Sequence, residues 1–132
     1  MPVVLIDTDI AIDYLRGEAA VAPLLHRLWQ QGEAALSVLS VYELTAGMRD
    51  KEAAATRYFI DACSVIDVTH QVAVKGSELY RKYRAKGITL APIDCLIAAT
   101  ALVHGCKVAT RNLKHYPEPG IIYPLEPQGT TP

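Results

Sequence analysis

Asp7, Glu43 and Asp94 are the side chains whose types and settings can do chemistry in this sequence. Asp7 stops the apolar run Val3 to Ile6, Glu43 follows Ser40 by three residues, and Asp94 comes just after Pro92. A carboxylate at the end of an apolar strand is costly unless a donor or a cation meets it, and several close together raise one another's pKa. A divalent cation resolves that conflict. The set is all oxygen, with no thiolate or histidine cluster, so the ion implied is hard: magnesium (Mg2+), or manganese (Mn2+) in its place. Such an ion keeps several waters, is completed by a substrate phosphate, and can lower the pKa of a water and stabilise a leaving oxygen. A plainer reading stands beside this one, in which Asp7 and Asp94 cap helices and Glu43 completes a capping box with Ser40.

The elements that must position these acids alternate. Val3 to Ile6 reads as a strand buried on both faces, followed by a short helix from Asp9 that ends at Gly17. Val21, Leu24, Leu25, Leu28 and Trp29 trace one helical stripe closed by Gly32. Ala35 to Leu39 reads as the second strand, with Ser40 as N-cap of the next helix. Glu52 to Cys63 and Val72 to Lys86 have helical patterns, separated by a third strand at Val65, Ile66 and Val68. Pro92 to Val103 is a strongly apolar helix between a proline start and Gly105, followed by a strand at Lys107 to Ala109 and a last one at Ile121 to Tyr123. Strands alternating with helices predict a parallel α/β sheet covered on both faces, with ligands outside the carboxyl ends of its strands.

The chain has 132 residues, 51% of them hydrophobic and 20% charged, which suits one packed core. One domain is expected over residues 1–126, with a disordered tail at 127–132. The net charge of −1 gives no broad positive field, so any nucleic-acid contact must be local. The opening MPVVLIDTD does not read as a signal peptide, and the uncharged stretch Cys95 to Val103 is far shorter than the roughly 20 apolar residues that cross a bilayer. Together with an odd cysteine count, this predicts a cytoplasmic protein with reduced thiols and no membrane contact.

LIDTD at 5–9, SVYEL at 40–44, PIDCLIAATAL at 92–102 and ATRN at 109–112 form an ordered set that resembles the PIN-domain family, and within it the VapC-type toxins of toxin–antitoxin pairs. The resemblance runs from about Val3 to Leu125. It implies a three-layer α/β/α fold with a central parallel sheet and magnesium-dependent endoribonuclease activity on structured RNA, with transfer RNA a family-based guess at the target. It also implies a homodimer and inhibition by a small antitoxin encoded alongside. By position, Asp7 and Asp94 match the family's metal-ligating aspartates, and Glu43 matches the acid that ligates the metal or orients the water. Asn112 stands where the family often has a fourth acid, with His115 nearby. An amide accepts but brings no charge, so one firmly bound ion is expected. Thr8 and Thr110 are candidate substrate contacts or else hydroxyls that satisfy local backbone groups, and Arg111 is a candidate contact to a phosphate oxygen.

Other signals carry less. Arg81, Lys82, Arg84 and Lys86, interleaved with Tyr80 and Tyr83, could grip an RNA backbone but read first as a solvated helix face. His104 and Cys106 lack the second pair that zinc requires, and Cys95 reads as a small buried hydrophobe. Tyr14, Trp29, Tyr42 and Phe59 read as core or interface. Asp7, Thr8 and Asp9 after a strand also resemble haloacid-dehalogenase-type phosphatases, in which Asp7 would be the nucleophile. Those enzymes want Thr or Val where this chain has Ala11, and a later lysine and paired acids that are missing here. A third reading keeps the fold as a binding module that cuts nothing.

Overall fold

The computed structural model describes residues 3–125. β1 (Val4–Ile6) leads into α1 (Thr8–Leu15) and α2 (Ala22–Gln31), then β2 (Ala34–Ser37) into α3 (Val38–Gly47). A 3-10 turn at Asp50–Glu52 runs into α4 (Ala53–Asp61), followed by β3 (Ser64–Ile66), α5 (His70–Ala85), α6 (Pro92–His104), β4 (Lys107–Ala109) and a second 3-10 turn at Leu113–His115. The strands lie in the order β3-β2-β1-β4, all parallel.

Alternation along the strands sorts the core into two layers. Leu5, Ala35 and Val108, aligned by register, face one side with Val72, Leu79 and Ile97 of α5 and α6. Val4, Ile6, Leu36 and Ala109 face the other with Ile10, Leu25, Leu28 and Phe59 of α1, α2 and α4. The result is a three-layer α/β/α arrangement, and its strands read as unbroken apolar runs because both of their faces are covered. Tyr14, Trp29 and Phe59 meet in one ring cluster with centroids 5.2 to 5.7 Å apart, whereas Tyr42 is exposed.

Four local expectations need correction. β2 ends at Ser37 and not at Leu39, because the Ser37 hydroxyl accepts from the Leu39 N–H at 3.0 Å and starts α3 there. Ser40 is therefore a fully buried residue of the first turn and not an N-cap, and Glu43 sits in the second turn, outside any capping box. Asp94 is not a cap either: α6 starts from Ala91 with Pro92 in its first turn, which leaves Asp94 a helical residue. Ile121 to Tyr123 makes a single parallel bridge, Val108 to Ile122, in place of a full strand. The expected disordered tail at 127–132 lies outside the described residues.

Candidate active site

The sheet order places β1 between β2, reached first, and β4, reached last, so the chain switches sides at the β1/β4 edge. Crevices at such switch points, beyond the carboxyl ends of the strands, are where parallel α/β sheets hold ligands. Asp7 follows β1 and Thr110 follows β4, side by side through the Ile6–Ala109 register and the Asp7 N–H bond to Ala109 O at 2.9 Å.

Asp7 is buried, with an extended backbone that turns the chain into α1. Its Oδ1 accepts from the Thr8 N–H and from the Tyr116 hydroxyl, each at 2.9 Å, and its Oδ2 accepts from the Thr110 hydroxyl at 2.8 Å. The capping reading of Asp7 thus holds, and the same carboxylate also belongs to the site. Thr110 Oγ1 in turn accepts from the Asn112 N–H at 3.0 Å. Three neutral donors on one buried carboxylate offset much of its desolvation cost.

Asp94, projecting from the first turn of α6, lies on the far side of Tyr116. The Tyr116 oxygen is 3.3 Å from Asp94 Oδ1, and His115 Nδ1 is 3.5 Å from Asp94 Oδ2. Burial raises the Asp94 pKa; His115 and the Tyr116 hydrogen bond oppose that, while the charges of Asp7 and Glu43 add to it. The three acids therefore share one electrostatic field. Burial and the neighbouring carboxylates likewise raise the Tyr116 pKa, so the phenol stays protonated and donates.

Glu43 reaches the cluster from α3. Its Oε1 accepts from the Thr8 hydroxyl at 2.6 Å, and Thr8 Oγ1 also lies 2.9 Å from Ser40 Oγ. A cleft of about 350 Å³ opens beside Glu43, walled by Ile12, Leu15, Leu44 and Met48 with Arg16 and Lys51 at its charged side.

Asp9 completes the acidic group. Burial, then the Asp7 charge and a side-chain hydrogen bond to Asp7, push its pKa up to about 7. Its Oδ1 accepts from the Ile10 N–H at 2.8 Å, and its Oδ2 accepts from the Asn112 carboxamide. Arg111 is exposed and pairs with Asp13 of α1 at 3.0 Å.

Sequence reasoning brought Asp7, Glu43, Asp94, Thr8, Thr110, Asn112 and His115 into this region, and the structure gathers them there. It had no role for Tyr116 or for Ser40 as a partner of Thr8, and Asp9 entered only through the phosphatase comparison. The spacing of LIDTD could have pointed to Asp9; nothing in KHYPEPG points to Tyr116. The basic helix face lies elsewhere: the Lys82 ammonium and the Tyr83 hydroxyl both donate to Glu118, at 2.8 and 2.7 Å.

The donor set fits a hard cation. Among the described residues no three Asp, Glu, His or Cys side chains close on one point as they stand. Two carboxylates with water for the remaining ligands are what magnesium ordinarily takes. Asp7 and Asp94 are the candidate pair, one hydroxyl touching an oxygen of each.

The PIN domain family matches residues 4–116. This chain belongs to the PIN-domain family. The PIN domain is 45% identical over 114 residues to Ribonuclease VapC19 of Mycobacterium tuberculosis, covering 86% of this chain and 91% of that relative. It is 34% identical over 114 residues to Ribonuclease VapC10 of the same organism, covering 86% of each. The DNA-bound VapBC of Salmonella typhimurium matches it in fold with a TM-score of 0.81 at 22% identity, over 92% of this chain and 96% of that one. This PIN domain is thus of the VapC type, and the family match falls to it and not to the phosphatase reading of Asp7. No helix among the described residues is long and apolar enough to cross a membrane.

Proposed function

We propose that this PIN domain is the toxin of a toxin–antitoxin pair, a metal-dependent endoribonuclease that hydrolyses phosphodiester bonds in RNA. The observation that carries the reading is the meeting of Asp7 and Asp94 on the Tyr116 hydroxyl, with Glu43 held across Thr8, at a sheet switch point. The similarity to named VapC ribonucleases supports RNA as the substrate.

Asp7 and Asp94 would hold magnesium, with manganese an acceptable substitute, and Glu43 would join them as a ligand or as the group that orients the attacking water. When bound, the ion supplies Lewis acidity toward the phosphodiester and lowers the pKa of a water. Thr8 fixes the Glu43 carboxylate, and Thr110 fixes Asp7, so both acids arrive pre-oriented. Asn112 supports Asp9 and stands in for a further acid. Arg111, exposed and using one nitrogen on Asp13, keeps other donors for a phosphate oxygen. The partners are RNA, a second copy of the chain in a homodimer and a cognate antitoxin, all in the cytoplasm.

Induced expression in a bacterial host, with mapping of new RNA ends, tests this. The wild-type chain should arrest growth and generate discrete ends, while Asp7→Asn and Asp94→Asn, equally abundant, should do neither. Arrest that persists in both variants with no new ends would instead establish the non-catalytic binding module, a reading to which the uncharged Asn112 lends weight.

A further inference from the structure

The segment after β4 is sewn onto the acidic site. Thr110 binds Asp7, Arg111 pairs with Asp13, Asn112 binds Asp9, His115 faces Asp94, and Glu118 is held by Lys82 and Tyr83 of α5. Tyr116 sits inside this strap, its ring buried in the core layer beneath α5 and α6 and only 2% exposed. Pinned from both sides, its hydroxyl is a fixed post. One phenol proton cannot serve two oxygens equally, and the lengths agree: 2.9 Å to Asp7 Oδ1 and 3.3 Å to Asp94 Oδ1.

We infer that Tyr116 is a positioning residue for the cation, its hydroxyl setting the gap between the Asp7 and Asp94 carboxylates across which the ion binds. The inference rests on the metal-site reading above. Without the hydroxyl, two like charges face each other across an apolar ring. Asp7 keeps its bonds to Thr8 and Thr110, but Asp94 projects from a helix surface with 17% of its side chain exposed and, among the described residues, is left with the His115 contact. Asp94 then rotates away, and the pair no longer presents itself ready-made. Groups that orient metal ligands from outside typically change metal affinity by about 10- to 100-fold when removed.

Calorimetric titration of the full chain, freed of antitoxin, with magnesium chloride decides the matter. Tyr116→Phe keeps the ring and should raise the magnesium Kd by about 10- to 100-fold. RNA cleavage should fall at low magnesium and recover as magnesium is raised. Far-UV dichroism should match the wild type. A residue that only fills the core would leave the Kd of Tyr116→Phe unchanged, and that result, with affinity lost in Asp7→Asn, overturns the inference alone. A tighter Kd in Tyr116→Phe would show that the hydroxyl competes with the ion and also overturns it. Wild-type affinity in Asp7→Asn overturns the metal-site reading itself.

Discussion

At the residue scale, Asp9 shows what crowding does to an acid. Desolvation first, then the Asp7 charge, lifts its pKa from the usual 3.8 to about 7. The native state then binds this proton more tightly than the unfolded chain does, so the native state loses stability as pH rises through the interval between those values. In chelator, the thermal midpoint should decline between about pH 4 and pH 7, and Asp9→Asn should flatten the decline without abolishing it, since Asp94 shifts in the same direction. Melts across that range check it; a midpoint that climbs over the same interval would contradict the placement of Asp9. The acids were legible in the sequence because each interrupts an apolar run or stands at an element start, where a charge needs a reason. Tyr116 was not. Its partner Asp7 is 109 residues away, and an aromatic residue in a Pro-rich loop carries no sign of what its hydroxyl will meet. Ser37 and Ser40 offered the same hydroxyl to the α3 start, and the backbone geometry at the end of β2 chose the earlier one.

Among the elements, α5 and α6 form the layer on which Asp94 and the Tyr116 ring rest. They approach closely at Gly76, where an added Cβ would stand 2.8 Å from Leu96 Cδ2 and 3.6 Å from the Cys95 carbonyl. A small residue lets the two helices meet, and a large one must separate them. Gly76→Leu is expected to destabilise the fold by about 1–3 kcal/mol, the usual cost of overpacking, read as a lower urea midpoint. Because α6 carries Asp94, magnesium affinity should weaken in the same variant. The helices themselves were legible from their apolar stripes and their glycine ends; Gly32 and Gly105, both left-handed at φ 68° and 66°, close α2 and α6 where expected. Strand ends were harder, because a buried strand and a buried first helical turn are both simply apolar. Val38 and Leu39 fell on the wrong side of that line.

For the whole molecule, alternation of strands and helices announced a parallel sheet between two helical layers, and the two core faces bear that out. The strand order β3-β2-β1-β4 could not be read from spacing, since nothing local says on which side of β1 the last strand returns. That order matters most for the candidate site. It sets Thr110 and the strap after it against Asp7, and so joins Asp7, which follows β1, to Asp94 of α6 through the Tyr116 hydroxyl. The direct test is cleavage of a total cellular RNA pool by the purified chain, freed of antitoxin, with magnesium or with chelator, beside Asp7→Asn and Glu43→Gln. Discrete, end-mappable fragments should form with magnesium, vanish with chelator and in Asp7→Asn, and form at least roughly a hundredfold more slowly in Glu43→Gln. Equal cleavage by wild type and Asp7→Asn, with or without chelator, would contradict the claim that these carboxylates carry the reaction.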